Sequence, residues 1–212
     1  MNKNVLRSMS YGVYVVTTAG EGNKNGCTAN SAMQITSDPA TVAVSINHNN
    51  YTNELISKNG VFAVSILGEN SDPSIIGNFG FKSGKDSDKF EGISCETVAG
   101  VPVISDSVGY VVCKVIGKME TSSHTVFLGE IVEGDVLKKD TPMTYAYYHN
   151  VIKGKSPKNA PTYIEENASE EKKPSSAFKC DICGYIYEGE EVPADYRCPV
   201  CGMDASHFVK VQ

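Results

Sequence analysis

Four cysteines near the C-terminal end of the chain stand in two tight pairs. They are Cys180-Asp181-Ile182-Cys183-Gly184 and Cys198-Pro199-Val200-Cys201-Gly202, with positions 184 to 197 between the inner cysteines. Two thiolates of one C-x-x-C turn can grip the same ion, so the doubled motif predicts four thiolates around one soft metal in a tetrahedral cage. The glycine after each pair gives the backbone freedom to turn its amides toward the sulfurs. The stretch 178–212 is shorter than the roughly 40 residues a chain needs to fold on a hydrophobic core alone. A structural metal supplies on the order of 10 kcal/mol and would make up the shortfall. Two disulfides compete for the same cysteines, but the N-terminal Met-Asn-Lys-Asn-Val-Leu-Arg-Ser lacks the apolar run of a secretory signal. Donor geometry alone admits either zinc, which staples a fold, or iron, which carries an electron.

The remaining chemistry is more diffuse. Gly26-Cys27-Thr28-Ala29-Asn30-Ser31 places hydroxyls and an amide at the entry to a strand, and Asn47, Asn49, Asn50 and Thr52 cluster where a strand hands over to a helix. Free amides at a helix N-terminus attract phosphate, and a hydroxyl such as that of Thr52 adds a donor. Asn, Ser and Thr between elements also serve as caps and turns. Cys27, Cys95 and Cys113 are scattered singly and read as packed residues rather than nucleophiles. His124, alone on a strand, reads as structural on residue type alone. No G-x-G-x-x-G, P-loop or zincin pattern is present.

Composition narrows the classes. The 212 residues carry a net charge of −6, which argues against nonspecific nucleic-acid binding through clustered Lys and Arg. In the tail, Lys179, Arg197 and Lys210 face six acidic residues, Asp181, Glu188, Glu190, Glu191, Asp195 and Asp204. Such an acidic face serves solubility, and would also speed encounter with a basic redox partner. No segment has the roughly 20 apolar residues of a membrane span, and seven cysteines fit a reducing cytoplasm.

The elements that must position these residues divide the chain into a larger domain at 1–152, a linker at 153–177 and a small metal domain at 178–212. The linker holds Gly154, Pro157, Pro161 and Pro174 among charges and has few apolar residues, so it cannot bury enough surface to hold one conformation. At about 25 residues it would span roughly 25–30 Å and let the tail swing. The larger domain reads as mainly β. Strands are expected at 12–19, 28–34, 41–47, 61–67, 109–119 and 125–137, rich in Val, Ile, Thr and aromatics. Val42, Val44 and Ile46 alternate with Ala43 and Ser45. A helix is expected from Tyr51 to Asn59, after Asn50 as N-cap and before Gly60 as stop. Pro73 opens a second, running toward Phe79. Many strands with few helices point to a closed or sandwiched β architecture.

Two resemblances sharpen this reading. Cys183-Gly-Tyr-Ile-Tyr-Glu-Gly189 with Cys198-Pro-Val-Cys-Gly202 and Phe208 resembles rubredoxin, in its short form found as the tail of rubrerythrins. That implies iron, shielded by a small aromatic core of Tyr185, Tyr187 and Phe208. Tyr196 stands where free rubredoxins carry tryptophan. Gly12-Val-Tyr-Val-Val-Thr-Thr18, Asn30-Ser-Ala-Met-Gln-Ile-Thr-Ser-Asp-Pro39, Tyr51-Thr52, Asn78-Phe-Gly80 and His124-Thr-Val-Phe-Leu-Gly-Glu-Ile131 are similar, in order and spacing, to the flavin reductase and flavoredoxin family. The resemblance implies a split β-barrel that binds FMN and forms a homodimer. By it, Thr28, Ala29, Asn30 and Ser31 contact the ring and ribityl chain. Asn47 and Thr52 fall on the phosphate side, Phe81 and Lys89 in the loop that closes over the cofactor, and His124 near the flavin's reactive face. Ser123 stands where members carry Asp, which would leave His124 less oriented and less cationic. The fused pair resembles the high-molecular-weight rubredoxins of anaerobes. It implies electron flow from NAD(P)H, or a separate reductase, through FMN and Cys₄ iron to a flavodiiron-type protein that reduces oxygen or nitric oxide. A zinc ribbon on a flavin-binding scaffold or sensor, and a flavin reductase that releases reduced FMN, are the competing functions.

Overall fold

A computed structural model describes residues 3–154 and 177–211. The expected linker at 153–177 lies outside the described residues except for its ends. The larger unit is mainly β, as expected. Its elements in chain order are β1 (Tyr14–Gly20), β2 (Asn23–Ala29), β3 (Ala32–Ser37), β4 (Ala40–Asn47), α1 (Tyr51–Asn59), β5 (Val61–Ile66), α2 (Pro73–Phe81), β6 (Cys95–Val98), β7 (Val101–Ile104), β8 (Gly109–Glu120), β9 (His124–Val136) and α3 (Tyr145–Asn150). The tail adds β10 (Ala177–Cys180), β11 (Ile186–Glu188) and β12 (Phe208–Lys210), and a 3₁₀ turn covers each of Lys3–Ser8 and Ala205–His207.

One seven-stranded antiparallel sheet, in the order β2-β1-β5-β8-β9-β4-β3, forms the split barrel. Its curl brings Val16, Val44, Ile46, Phe62, Val64, Cys113 and Phe127 into one buried core, with Ile56 of α1 packed onto it. Removing this apolar surface from water is the main favourable contribution to the fold. The expected strand at 28–34 is two strands in the structure. Ala29 pairs with Tyr14 on β1, whereas Ala32 pairs with Val44 on β4. The chain therefore crosses from one edge of the sheet to the other at Asn30-Ser31, and β-propensity alone cannot register such a crossing.

Both expected helices form. Gly60 ends α1 with φ 69°, the left-handed conformation that glycine adopts without a Cβ penalty. Asp72 caps α2 by accepting from the Ser74 amide, and Pro73 occupies the first turn. Three features were not expected from sequence: the 3₁₀ turn at Lys3–Ser8, the β6–β7 hairpin and α3. The hairpin turns on Ala99-Gly100, both at positive φ, where the usual Asn-Gly or Asp-Gly signal is missing. Helix α3 has only six residues, Tyr-Ala-Tyr-Tyr-His-Asn, too few for helical periodicity to be read. Among the described residues no helix is long and apolar enough to cross a membrane.

Candidate flavin cleft and thiolate cage

The mouth of the barrel opens on a cleft of about 430 Å³, within the usual range of small-molecule sites. The end of β2 and its crossing supply Asn25, Cys27, Thr28, Ala29 and Asn30, and the end of β4 supplies Ser45, Ile46 and Asn47. Asn49, Asn50 and Tyr51 bring the N-terminus of α1 to the wall, and Ile76, Phe79, Gly80 and Phe81 bring the C-terminal half of α2. Lys89, His124, Tyr145 and Tyr148 complete it together with residues 82–84. Of the nine residues expected from sequence, Thr28, Ala29, Asn30, Asn47, Phe81, Lys89 and His124 come together here. Phe81 closes α2 rather than lying in a loop. Ser31 and Thr52 are not on the wall. Ser31 donates its hydroxyl to Asn30 Oδ1 at 2.9 Å. Thr52 is buried behind the wall and donates to Asn25 Oδ1 at 3.3 Å.

The polar equipment of the cleft fits an anionic aromatic ligand. Thr28 Oγ1 and His124 Nε2 are buried with no hydrogen-bond partner among the described residues. Leaving such atoms unpaired costs about 1–3 kcal/mol each, and a ligand with matching groups would remove that cost. Lys89 is 5% exposed. Its ammonium donates to Gly26 O at 2.8 Å and Phe79 O at 3.2 Å, and no carboxylate pairs with it among the described residues. Burial holds its pKa below the ordinary lysine value. Asn50 sits at the N-cap of α1 without a side-chain cap bond, and it lines the cleft with Asn49 and Tyr51. Cys27, read as a packed residue, is buried and lies on the wall, and burial pushes its thiol up.

His124 and Asn47 are cross-strand partners at the end of the β4–β9 ladder. Ser123 Oγ and His124 Nδ1 share a hydrogen bond of 2.8 Å, so the serine orients the ring without a carboxylate's charge. Desolvation, and secondarily the neighbouring His48, hold the imidazole pKa below 6.5. An NMR titration of the flavin-free protein should place the His124 midpoint below 6.5, and Ser123→Asp should raise it. A midpoint above 6.5 in the unsubstituted protein would contradict this. In linkage terms, the unfolded imidazole takes its proton first as pH falls. The His124 contribution therefore lowers stability from about pH 6.5 down through the depressed folded value.

The tail brings the four cysteines to one point. Cys180 and Cys201 sulfurs lie 3.7 Å apart, and those of Cys183 and Cys198 lie 3.5 Å apart. All four sulfurs fall within 4.8 Å of one another and are buried. Four sulfurs at about 2.3 Å from one ion sit roughly 3.8 Å apart in a tetrahedron, whereas a disulfide needs about 2.05 Å. The set fits a tetrahedral metal. Gly184 and Gly202 take φ 77° and 71°, and the amides of Tyr185, Val200, Cys201 and Met203 reach the sulfurs. An anionic sulfur cluster is what such a shell stabilises. The aromatic cover differs from the expected trio. Tyr196 lies 4.7 Å from Tyr187 and 5.4 Å from Phe208, ring to ring, while Tyr187 and Phe208 are 6.4 Å apart. Tyr185 packs at the margin of a larger cluster.

Residues 6–155 match the family model described as flavin reductase like domain, and residues 178–209 match that of the rubrerythrin, rubredoxin-like domain. The chain belongs to the flavin reductase-like family and carries a rubredoxin-like domain at its C-terminal end. It is 35% identical to the high molecular weight rubredoxin of Moorella thermoacetica, over 100% of both chains. It is 37% identical to the ferric-chelate reductase (NAD(P)H) of Archaeoglobus fulgidus, over 78% of this chain and 99% of that one. The solved structure of flavin reductase PheA2 superposes with TM-score 0.59 at 29% identity, covering 67% of this chain and 89% of the other. The protein is thus a flavin-linked oxidoreductase whose two parts combine a flavin site with a four-cysteine metal site.

Among the wall residues that residue type did not reveal, Tyr145 and Tyr148 were hidden because they sit on the unanticipated α3. The run of aromatics in Tyr145-Ala-Tyr-Tyr-His149 was the available signal. Tyr145 and Tyr148 stack with ring centroids 6.2 Å apart and form a flat aromatic face.

Proposed function

We propose that this protein is an electron-transfer flavo-rubredoxin. Its larger domain, 1–152, holds FMN in the cleft, and its small domain, 178–212, holds one iron at Cys180, Cys183, Cys198 and Cys201. The linker at 153–177 ties them. The observation that carries this reading is one chain that combines a cleft in a flavin reductase-like domain with a buried four-thiolate cluster that fits a soft metal. A bound flavin supplies the conversion of a hydride's electron pair into single electrons.

The chain's own residues do the rest. Thr28, Ala29 and Asn30 position the ring and ribityl chain, with Ala29 leaving room, Thr28 offering its unpaired hydroxyl and Ser31 acting through its bond to Asn30. Asn47 and the N-terminus of α1 lie on the phosphate side, with Thr52 bracing Asn25 from behind the wall, and phosphate at a helix N-terminus favours FMN. Lys89 sets a buried positive charge against the anionic cofactor, and Phe81 covers it. His124 presents a neutral Nε2 to the reacting face, where it can accept or hand on a proton. NAD(P)H, or a separate reductase, is the donor, and the name of the ferric-chelate reductase relative supports a nicotinamide. A flavodiiron-type protein is the acceptor, reached through the acidic tail. Iron is preferred to zinc because the tail resembles rubredoxin and directs amides at its sulfurs.

The reading includes a homodimer in the cytoplasm of an anaerobe. Edge strand β3 exposes Met33 (66%) and Ile35 (47%), and β8 exposes Ile116 (50%) and Met119 (59%). A second copy would cover these residues.

The test is anaerobic stopped-flow mixing with NADH and with NADPH, watching flavin and ferric-thiolate absorption separately. Flavin bleaching followed by loss of the ferric band supports the relay. Flavin bleaching with an inert tail supports the zinc-ribbon scaffold. Release of reduced FMN through gel filtration supports a simple flavin reductase.

A further inference from the structure

The two sites do not stand apart. Helix α2 lies between them, with one side on the cleft and the other against the second cysteine knuckle. Ile76, Phe79 and Gly80 line the cleft, while a Cβ added at Gly77 would sit 2.2 Å from the Cys201 carbonyl oxygen and 3.3 Å from Cys201 Cα. The fit is reciprocal. A Cβ added at Gly202 would meet Ser74 N at 2.7 Å and Ser74 Cα at 3.0 Å. The obstructing atoms are backbone on both sides, so neither position has a flexible side chain that could move aside. Val200, Cys201, Ile75, Ile76, Phe79 and Tyr148 belong to one buried cluster. Tyr148, 4% exposed, lines the cleft and belongs to the same buried cluster as Cys183, Cys198 and Cys201.

We propose that α2 is a built seat for the second knuckle of its own chain, with Gly77 and Gly202 as the facing sockets. Seating places the Tyr148 ring between the cage and the cleft, so the two centres couple within one chain. The small domain is therefore docked for internal transfer and released when it meets an external acceptor. As far as it concerns electrons, this inference rests on the relay reading above. A reduced flavin held in the cleft would supply two electrons and an iron held by the four cysteines would accept one of them, so the second would need an external one-electron oxidant of that iron.

The experiment uses the full-length holoprotein and the variant Gly77→Val, with Gly77→Ser as the milder substitution should valine prevent folding. Hydrogen exchange is read first. Amides at 74–77 and 200–203 are expected to be protected together in the unsubstituted protein, and both sets are expected to lose protection in the variant while the β4–β9 ladder is unchanged. Flavin and metal content and the rate of flavin reduction by NAD(P)H should stay within twofold. Overfilling a backbone contact lowers the seated population, so flavin-to-metal transfer should fall by about tenfold or more. Unchanged protection of both segments in Gly77→Val, or an unchanged transfer rate despite lost protection, would overturn the proposal. Failure of the relay reading looks different. The segments would then be protected together and released by the variant, while the metal band never responds to flavin reduction in any protein.

Discussion

Replacing Cys198 with serine should abolish the metal centre and unfold the tail while sparing the flavin site. Three thiolates and a hydroxyl bind a soft ion much more weakly than four thiolates. Cys198 is also the sulfur that the amides of Val200 and Cys201 reach. The described part of the tail offers three strands of three or four residues and a buried set of Cys180, Cys183, Cys198, Val200, Cys201 and Phe208. Such a unit depends on its metal for stability on the order of 10 kcal/mol. Metal analysis should fall from about one ion per chain to near zero, and exchange protection of β10 and β12 should be lost. Flavin stoichiometry should be unchanged, because among the described residues none of the tail lines the cleft. Retention of a full complement of metal by Cys198→Ser would show that the cage is not the ligand set.

Replacing Lys89 with methionine should act with two signs. The side chain is buried, and among the described residues its ammonium is hydrogen-bonded to the carbonyls of Gly26 and Phe79. Without ligand, a desolvated cation is a cost to the fold. The flavin-free variant should therefore melt at a higher temperature than the unsubstituted protein. With flavin, the loss of one charge-assisted contact costs about 1.5–3 kcal/mol, or roughly 10- to 150-fold in affinity. A flavin titration and a melting curve on the same preparations check both signs. Unchanged affinity would remove Lys89 from the flavin site.

The metal cage was legible in the sequence to the residue because its chemistry is local. Cys180 and Cys183, and likewise Cys198 and Cys201, share a turn, and the following glycines need the positive φ they adopt. The barrel strands were legible because Val, Ile and Thr cluster between turn residues. The cleft was only partly legible, since its walls come from elements far apart in the chain. Thr28 and Asn30 lie beside Asn47 and His124 only because the chain changes sheet edge at Asn30-Ser31, which propensity reads as one continuous strand. Thr52 shows the opposite error. A hydroxyl at a helix start was assigned to the ligand, whereas packing turns it to Asn25. Tyr145 and Tyr148 were hidden because a six-residue helix has no period to read, and their importance comes from the tail folding back beside them. Contacts such as that of Gly77 with Cys201 are formed across the whole chain and leave no sequence signature.

The most direct measurement is an anaerobic reductive titration of the freshly purified protein, with iron, zinc and flavin assayed on the same sample. Uptake of about three electrons per chain is expected, two by flavin and one by iron, with the ferric-thiolate band bleaching as the first electron enters, because the downstream acceptor of the relay fills before the flavin. Uptake of only two, with zinc in the cage and no band to bleach, would contradict the account.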